Sequence, residues 1–265
     1  MDTAPRHKSY DVVIIGGAIY GSSTAWWLTR MDGFEGRILV IERDPTYEFA
    51  ATSLTNSCIR QQFSNRANIA FSQFGADFVL NFREYMGGDP DVPELALHSY
   101  GYMYMADTDA FAQSLREAQA IQAQLGAGTR FLTRDDIAAD YPFYQLDDII
   151  GANHNPVNEG YFDGGTMFDW FRRMAKKNGA EYVHNEVTAI TRNGARIDSV
   201  TLASGETVAC GHLVNATGTR GAVTARMAGF DLPIEPRRRY TYIFDAAHPL
   251  DQDLPLTIDP VSYTH

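Results

Sequence analysis

A glycine-rich turn near the N-terminus, a strand–helix–strand pattern around it and a late run of short strands predict a mixed α/β fold for this chain. The first observation is DVVIIGGAIYGSSTAWWL at residues 11–28, where a β-branched run meets glycines and then apolar residues at helical spacing. RILVI at 37–41, after Gly33 and Gly36, completes a βαβ unit. The third is AEYVHNEVTAI, RIDSVTLA and TVACGHLVN, the last two joined by a turn at Ser204-Gly205. Together they predict a β-meander added to the α/β core.

Between these landmarks, residues 50–64 (AATSLTNSCIRQQFS) read as a loop and residues 68–85 as a helix, broken by MGGDPDVP at 86–93. Alternation over 100–105 predicts a strand, and 108–125 an alanine-rich helix stopping at Gly126. A second lobe begins near residue 95. Residues 135–141 form a short helix before Pro142, GANHNPVNEG at 151–160 is loop, and 166–177 is a helix with Asp163 placed to meet its free amides.

Formal net charge is −11, which gives no support to nucleic-acid or anionic-membrane partners. Two cysteines, Cys58 and Cys210, lie far apart without Cys-x-x-Cys spacing, so neither a disulfide framework nor a zinc site is indicated, and a cytoplasmic protein fits. No apolar run is long enough to span a bilayer, and the leader MDTAPRHKSY lacks a signal's hydrophobic core. No histidine has metal-ligand spacing, and no nucleophile-plus-base pattern favours hydrolysis.

In a Rossmann-type βαβ unit, the first glycine permits a tight turn, the second lets a diphosphate reach bare backbone, and the third lets helix and strand pack closely. Gly16 and Gly21 fill the first and third roles, Ala18 stands at the second, and Gly17 adds freedom beside it. Such a turn serves equally in a purely structural connection. Glu42, 21 residues after Gly21 at the end of the second strand, favours nucleotide binding, since a carboxylate there accepts from both ribose hydroxyls and repels a 2′-phosphate. HLVNATG at 212–218 is an apolar strand ending in small residues, where a second backbone segment can approach a dinucleotide; an ordinary strand before a helix capped by Thr217 or Thr219 is the alternative.

These residues resemble the D-amino-acid oxidase-like FAD-dependent oxidoreductases, which include glycine oxidase, sarcosine oxidase and dimethylglycine dehydrogenase. The matching stretches are VVIIGGAIYGSSTAWWL, IER at 41–43, SCIRQQFSNRANIAFS at 57–72, GYMYMA at 101–106, EGYFDGGTMFDWFRRMAKKNGAEYVHNEVTAI at 159–190, HLVNATG, and IEPRRRYTYIF at 234–244. SCIRQQFS and EPRRRYTYIF look most similar to the bacterial subgroup related to mitochondrial FAD oxidoreductase-domain proteins.

The resemblance implies a Rossmann-type FAD-binding domain (8–94 and 159–232) interleaved with a partial antiparallel-sheet substrate domain (95–158 and 233–265). It implies FAD, with Gly16, Gly17, Ala18 and Gly21 at the diphosphate, Glu42 and Arg43 at the adenosine, and Val187 at adenine through its backbone. Thr217 and Gly218 would lie near the ribityl chain and Ser53 to Ser57 near the flavin. Some relatives hold FAD through an early histidine, and none stands between Glu42 and Leu97, so noncovalent FAD is expected. Family members continue past IEPRRRYTYIF, whereas VSYTH at 261–265 does not resemble them, which implies a truncated chain with an unpaired strand edge.

The implied reaction is oxidation of the C–N bond of a small amine or amino acid by hydride transfer to flavin, with oxygen or another carrier taking the electrons. The alternative is a non-catalytic assembly protein or inactive fragment. A carboxylate substrate needs a cation, for which arginine's planar fork is best suited. Arg60 is the first candidate, with pairing to a nearby carboxylate as its alternative role. Arg237, Arg238 and Arg239 lie on an expected strand whose alternation sends Arg238 with Tyr240 to one face. Tyr102, Tyr240 and Tyr242 could line an amine pocket or pack in the core. His154, in the expected loop, would titrate near neutrality or be exposed.

Overall fold

The computed structural model describes residues 2–260, so the expected ending at 261–265 lies outside the described residues. In chain order the first stretch supplies β1 (Ser9–Ile15), α1 (Ile19–Leu28), β2 (Ile38–Glu42) and the single-turn α2 (Ala51–Leu54). There follow β3 (Cys58–Ile59), α3 (Arg66–Leu80), α4 (Phe82–Tyr85), β4 (Leu97–His98), β5 (Tyr102–Ala106) and α5 (Asp109–Gln124). Next are β6 (Arg130–Thr133), α6 (Arg134–Asp140), β7 (Gly151–Asn155) and β8 (Gly160–Phe162). The chain continues through α7 (Gly164–Lys177), β9 (Glu181–His184), β10 (Val187–Asn193), β11 (Arg196–Leu202) and β12 (Thr207–Asn215). A 3₁₀ turn at Gly218–Arg220, α8 (Gly221–Met227) and β13 (Leu256–Ile258) complete it.

The chain folds as two compact units: one runs to Thr55 and resumes over Gly164–Tyr242, the other covers Asn56–Asp163 and resumes at Ile243. The first unit holds a six-stranded sheet in the order β10-β11-β12-β1-β2-β9. Its central strands β12, β1, β2 and β9 are parallel, while β10, β11 and β12 form the antiparallel meander. Parallel strands are covered on both faces, which is why VVII and ILVI read as continuous apolar runs. Val13, Ile14, Leu39, Val40 and Val183 are wholly buried. Trp26 of α1 is equally buried, its ring centre 5.2 Å from that of Phe171 on α7.

The second unit holds a four-stranded sheet, β13-β5-β7-β6, and a small three-stranded one, β3-β8-β4. Alternation gives the larger sheet two different faces. Met103, Met105, Leu132 and Ala152 pack with Ile137, Leu146 and Ile149 on one. Tyr102, Tyr104, Asn153 and Asn155 stand on the other.

Several expectations are corrected. Residues 151–155 are not loop but β7, paired with both β5 and β6, because the polar side chains of this strand find buried partners that composition does not show. Asn153 Nδ2 donates to the Leu115 carbonyl at 2.7 Å and Asn155 Nδ2 to Glu159 Oε1 at 2.8 Å. His154 is therefore a buried strand residue rather than an exposed loop one. Within 50–64, α2 and β3 replace uniform loop.

Residues 234–244 form no strand. They belong to none of the sheets, so the inferred alternation of Arg237, Arg238 and Arg239 does not occur. Tyr240 and Tyr242 are 68% and 82% exposed. The first division between the compact units falls at 55/56, where Cys58 and Ile59 pair with Tyr161 and Gly160 and place α3 in the second unit.

Candidate functional site

The glycine turn joins β1 to α1 as the fingerprint requires. Gly16 has φ of +97°, and a methyl group built on it would lie 2.5 Å from the Ala216 carbonyl oxygen. A methyl on Gly21 would lie 1.8 Å from the Gly16 carbonyl oxygen, so helix and strand touch through bare backbone. Ala18, at φ −70° and ψ −163°, is the N-cap of α1 and provides no side-chain cap. The first-turn amides and the positive end of the helix dipole are left to serve an anion; Thr52 Oγ1 of α2 accepts one of them, Ile19 N–H, at 3.3 Å.

Glu42 closes the other side of the turn. It is 8% exposed; its Oε2 accepts the Gly17 N–H at 2.7 Å and its Oε1 the Asp44 N–H at 2.8 Å. Each oxygen keeps a lone pair for a further donor such as a sugar hydroxyl. The backbone carbonyl of Glu42 accepts the Asn185 N–H at 2.9 Å, which ties this strand end to the segment leading into Val187. Val187 is buried in the core cluster that contains Ile15 and Ile41. On the opposite flank, Ala216 N–H donates to the Ile15 carbonyl at 2.9 Å, bringing Thr217 and Gly218 to the turn. Thr217 Oγ1 donates to Asn215 Oδ1 at 2.7 Å. Arg43 and Ser53 are exposed, in the segment after β2 and on α2.

Gly16, Gly17, Ala18, Gly21, Glu42, Thr217 and Gly218 thus meet in one cradle. Its bare backbone, free helix terminus and buried carboxylate fit the diphosphate and ribose of FAD. Sequence reasoning missed Tyr47, a buried residue in the left-handed region (φ 58°) whose hydroxyl lies 3.1 Å from where a Gly17 methyl would stand. Burial, then the Glu42 charge, push its phenol well above the ordinary range. Its position in DPTYEF carried no signal beyond proximity to Glu42.

In the second unit, Arg60 is partly buried. Its guanidinium carbon lies 4.7, 5.7 and 5.9 Å from the ring centres of Phe63, Tyr102 and Tyr104. Its Nε is buried with no hydrogen-bond partner among the described residues. An arginine held by aromatic faces keeps its planar donors for an anion. Burial pushes the Tyr102 phenol well above its usual value, so it remains a neutral hydroxyl. Tyr240 and Tyr242, in the first unit, are exposed and stack on one another, ring centres 6.4 Å apart.

Among the described residues no group of His, Cys, Asp and Glu could hold a metal ion, and no helix is long and apolar enough to cross a membrane.

Residues 11–265 match the DAO family, described as FAD dependent oxidoreductase. The FAD-dependent oxidoreductase domain-containing protein 1 of Xenopus laevis is 32% identical over 281 residues, covering 94% of this chain and 56% of the relative. The sarcosine oxidase subunit beta of an Arthrobacter species is 24% identical, covering 91% and 60%. The chain thus spans between half and two thirds of these relatives' length. L-Proline dehydrogenase from P. horikoshii superposes with a TM-score of 0.69 at 25% identity, covering 84% of this chain and 56% of that one. Glycine oxidase from Geobacillus kaustophilus shares the fold, with a TM-score of 0.69 at 19% identity over 87% of this chain and 61% of its own.

Proposed function

The chain belongs to the family of FAD-dependent oxidoreductases, and from that premise we propose that it oxidises the C–N bond of a small amino acid or carboxylate-bearing amine. The observation that carries this reading is Arg60, whose Nε, without a hydrogen-bond partner among the described residues, lies among three aromatic rings and suits a carboxylate.

FAD, held noncovalently, supplies the two-electron acceptor for the C–H bond beside nitrogen. The Ala18 amide and the α1 N-terminus bind its diphosphate, with Gly16 and Gly17 giving it bare backbone to approach and Gly21 letting the helix pack closely. Glu42 accepts from the ribose hydroxyls, Arg43 flanks the adenosine, and the Val187 backbone meets adenine. Thr217 and Gly218 serve the ribityl chain and Ser53 the flavin. Arg60 takes the substrate carboxylate, and neighbouring aromatic faces exclude water from that ion pair. Oxygen or another carrier receives the electrons.

The test is spectroscopic. Purified protein should be yellow, bleach anaerobically with sarcosine, glycine or proline, and recolour in air or with an added carrier. Arg60→Gln should raise KM for the carboxylate substrate at least tenfold. Protein that binds FAD but bleaches with no amine or amino acid overturns the reading. It would instead favour a flavoprotein-like assembly role, which draws on the exposed apolar run Tyr240, Tyr242, Ile243 and Phe244.

A further inference from the structure

The connection between β7 and β8 carries a carboxylate to which the proposed function gives no task. Glu159 is fully buried. Its Oε1 accepts the Gln61 N–H at 2.6 Å and Asn155 Nδ2 at 2.8 Å, and its Oε2 accepts Gln62 Nε2 at 2.9 Å. Its backbone carbonyl accepts the Gly101 N–H at 3.0 Å. Gln62 Nε2 also donates to the Tyr102 carbonyl at 2.8 Å.

One residue therefore ties together both halves of the Arg60 surroundings. Gln61 and Gln62 separate Arg60 from Phe63, and Gly101 leads directly into Tyr102 and Tyr104. The backbone that carries the carboxylate has little room to shift. Asn158 (φ 53°) and Gly160 (φ 144°) bend the chain on either side, and a methyl on Gly160 would fall 2.0 Å from the His98 carbonyl oxygen.

Anchoring a loop does not by itself require an ion, since a neutral amide also accepts hydrogen bonds and avoids the penalty of burying charge. A carboxylate suits a place where a cation must be held. Burial pushes the Glu159 carboxyl up, while its three donors and then the Arg60 charge pull it back.

We propose that Glu159 is a positioning residue: its carboxylate fixes the 60–63 segment against β5 and so sets where the Arg60 guanidinium lies. This rests on the reading of Arg60 as the carboxylate anchor, yet the placement can be measured with no substrate present.

In the full chain, nitrogen-15 NMR would follow the Arg60 Nε–H signal, identified by its loss in Arg60→Lys. Glu159→Gln should shift that signal and speed its exchange with water at least tenfold, while the Arg116 signal, from a guanidinium stacked on Phe131, stays in place. An unchanged Arg60 signal in folded Glu159→Gln protein overturns the proposal. Should that variant not fold, Gln62→Leu, which removes one donor to Glu159, decides through the same signal: a displaced Arg60 resonance supports the placement, and an unmoved one overturns it. Sodium acetate added to the wild-type protein tests the anchor separately. A displaced Arg60 signal supports carboxylate binding, and a static one removes that reading without altering the placement result.

Discussion

At the scale of single residues, two glycines and one acid shape the cradle at the β1–α1 turn that we propose holds the nucleotide. Gly21→Ala puts a methyl group inside the contact distance of the Gly16 carbonyl, so α1 must move away from β1. The expected loss is about 1–3 kcal/mol, as for other overpacked sites, read as a lower melting temperature together with weaker FAD retention. Glu42→Gln keeps the shape but exchanges one charged acceptor for an amide N–H directed at a backbone donor, either Gly17 or Asp44. A charge-assisted hydrogen bond contributes roughly 1.5–3 kcal/mol, so FAD affinity should fall by about tenfold or more in a flavin-fluorescence titration. Unchanged affinity would exclude Glu42 from the ribose.

At the scale of elements, β7 and α3 make separate predictions. His154 sits inside β7, and burial holds its imidazole below the ordinary value of 6.5. Its folded pKa is depressed, so the unfolded chain takes up a proton that the native strand resists. The stabilising contribution is complete above pH 6.5 and is lost as pH falls through that value towards the lower folded pKa. The raised Glu159 carboxyl acts with opposite sign at acid pH, so the comparison must be with His154→Gln: the difference in urea midpoint between the two proteins should shrink or reverse from pH 7.5 to pH 5. The α3 helix starts at Asn65, whose Oδ1 accepts the Ala67 N–H at 2.9 Å and the Asn68 N–H at 3.4 Å. Asn65→Ala should cost about 1 kcal/mol, in line with other N-caps, measured by denaturant unfolding.

For the whole molecule, the two units differ in what holds them. The first is an apolar parallel sheet with a meander, and the second sets an apolar face against a buried polar and aromatic one. The chain crosses between them at 55/56, at 163/164 and once more at 242/243, the last within residues 231–248, which hold neither helix nor strand. Arg237, Arg238 and Arg239 are exposed there, and the Arg237–Glu235 ion pair is solvated on both sides at 72% and 74% exposure. Exposed backbone without ladder hydrogen bonds is cut first by proteases. Trypsin at low ratio should cleave at 237–239 before any site in the two sheets, as read by mass spectrometry of the early fragments.

Local sequence signals account for most of the first unit. Gly16, Gly21 and Glu42 are fixed by local rules: a positive φ, a backbone-to-backbone contact and a strand-end carboxylate, each within one βαβ unit. The meander of β10, β11 and β12 was equally legible, because period-two alternation and Ser204-Gly205 are local signals too, whereas the first half of AEYVHNEVTAI is β9 and pairs with β2 in parallel instead. Tertiary structure alone decided the second unit's polar side. GANHN becomes a strand only because Leu115 and Glu159 offer partners to its amides, and Glu159 acquires its position through Gln61 and Gln62, almost a hundred residues earlier. Residues 234–244 show the converse: a strand-like sequence stays irregular where it joins no sheet. Apolar periodicity is written in adjacent residues, but a buried polar group is stable only with a partner that the fold brings from afar.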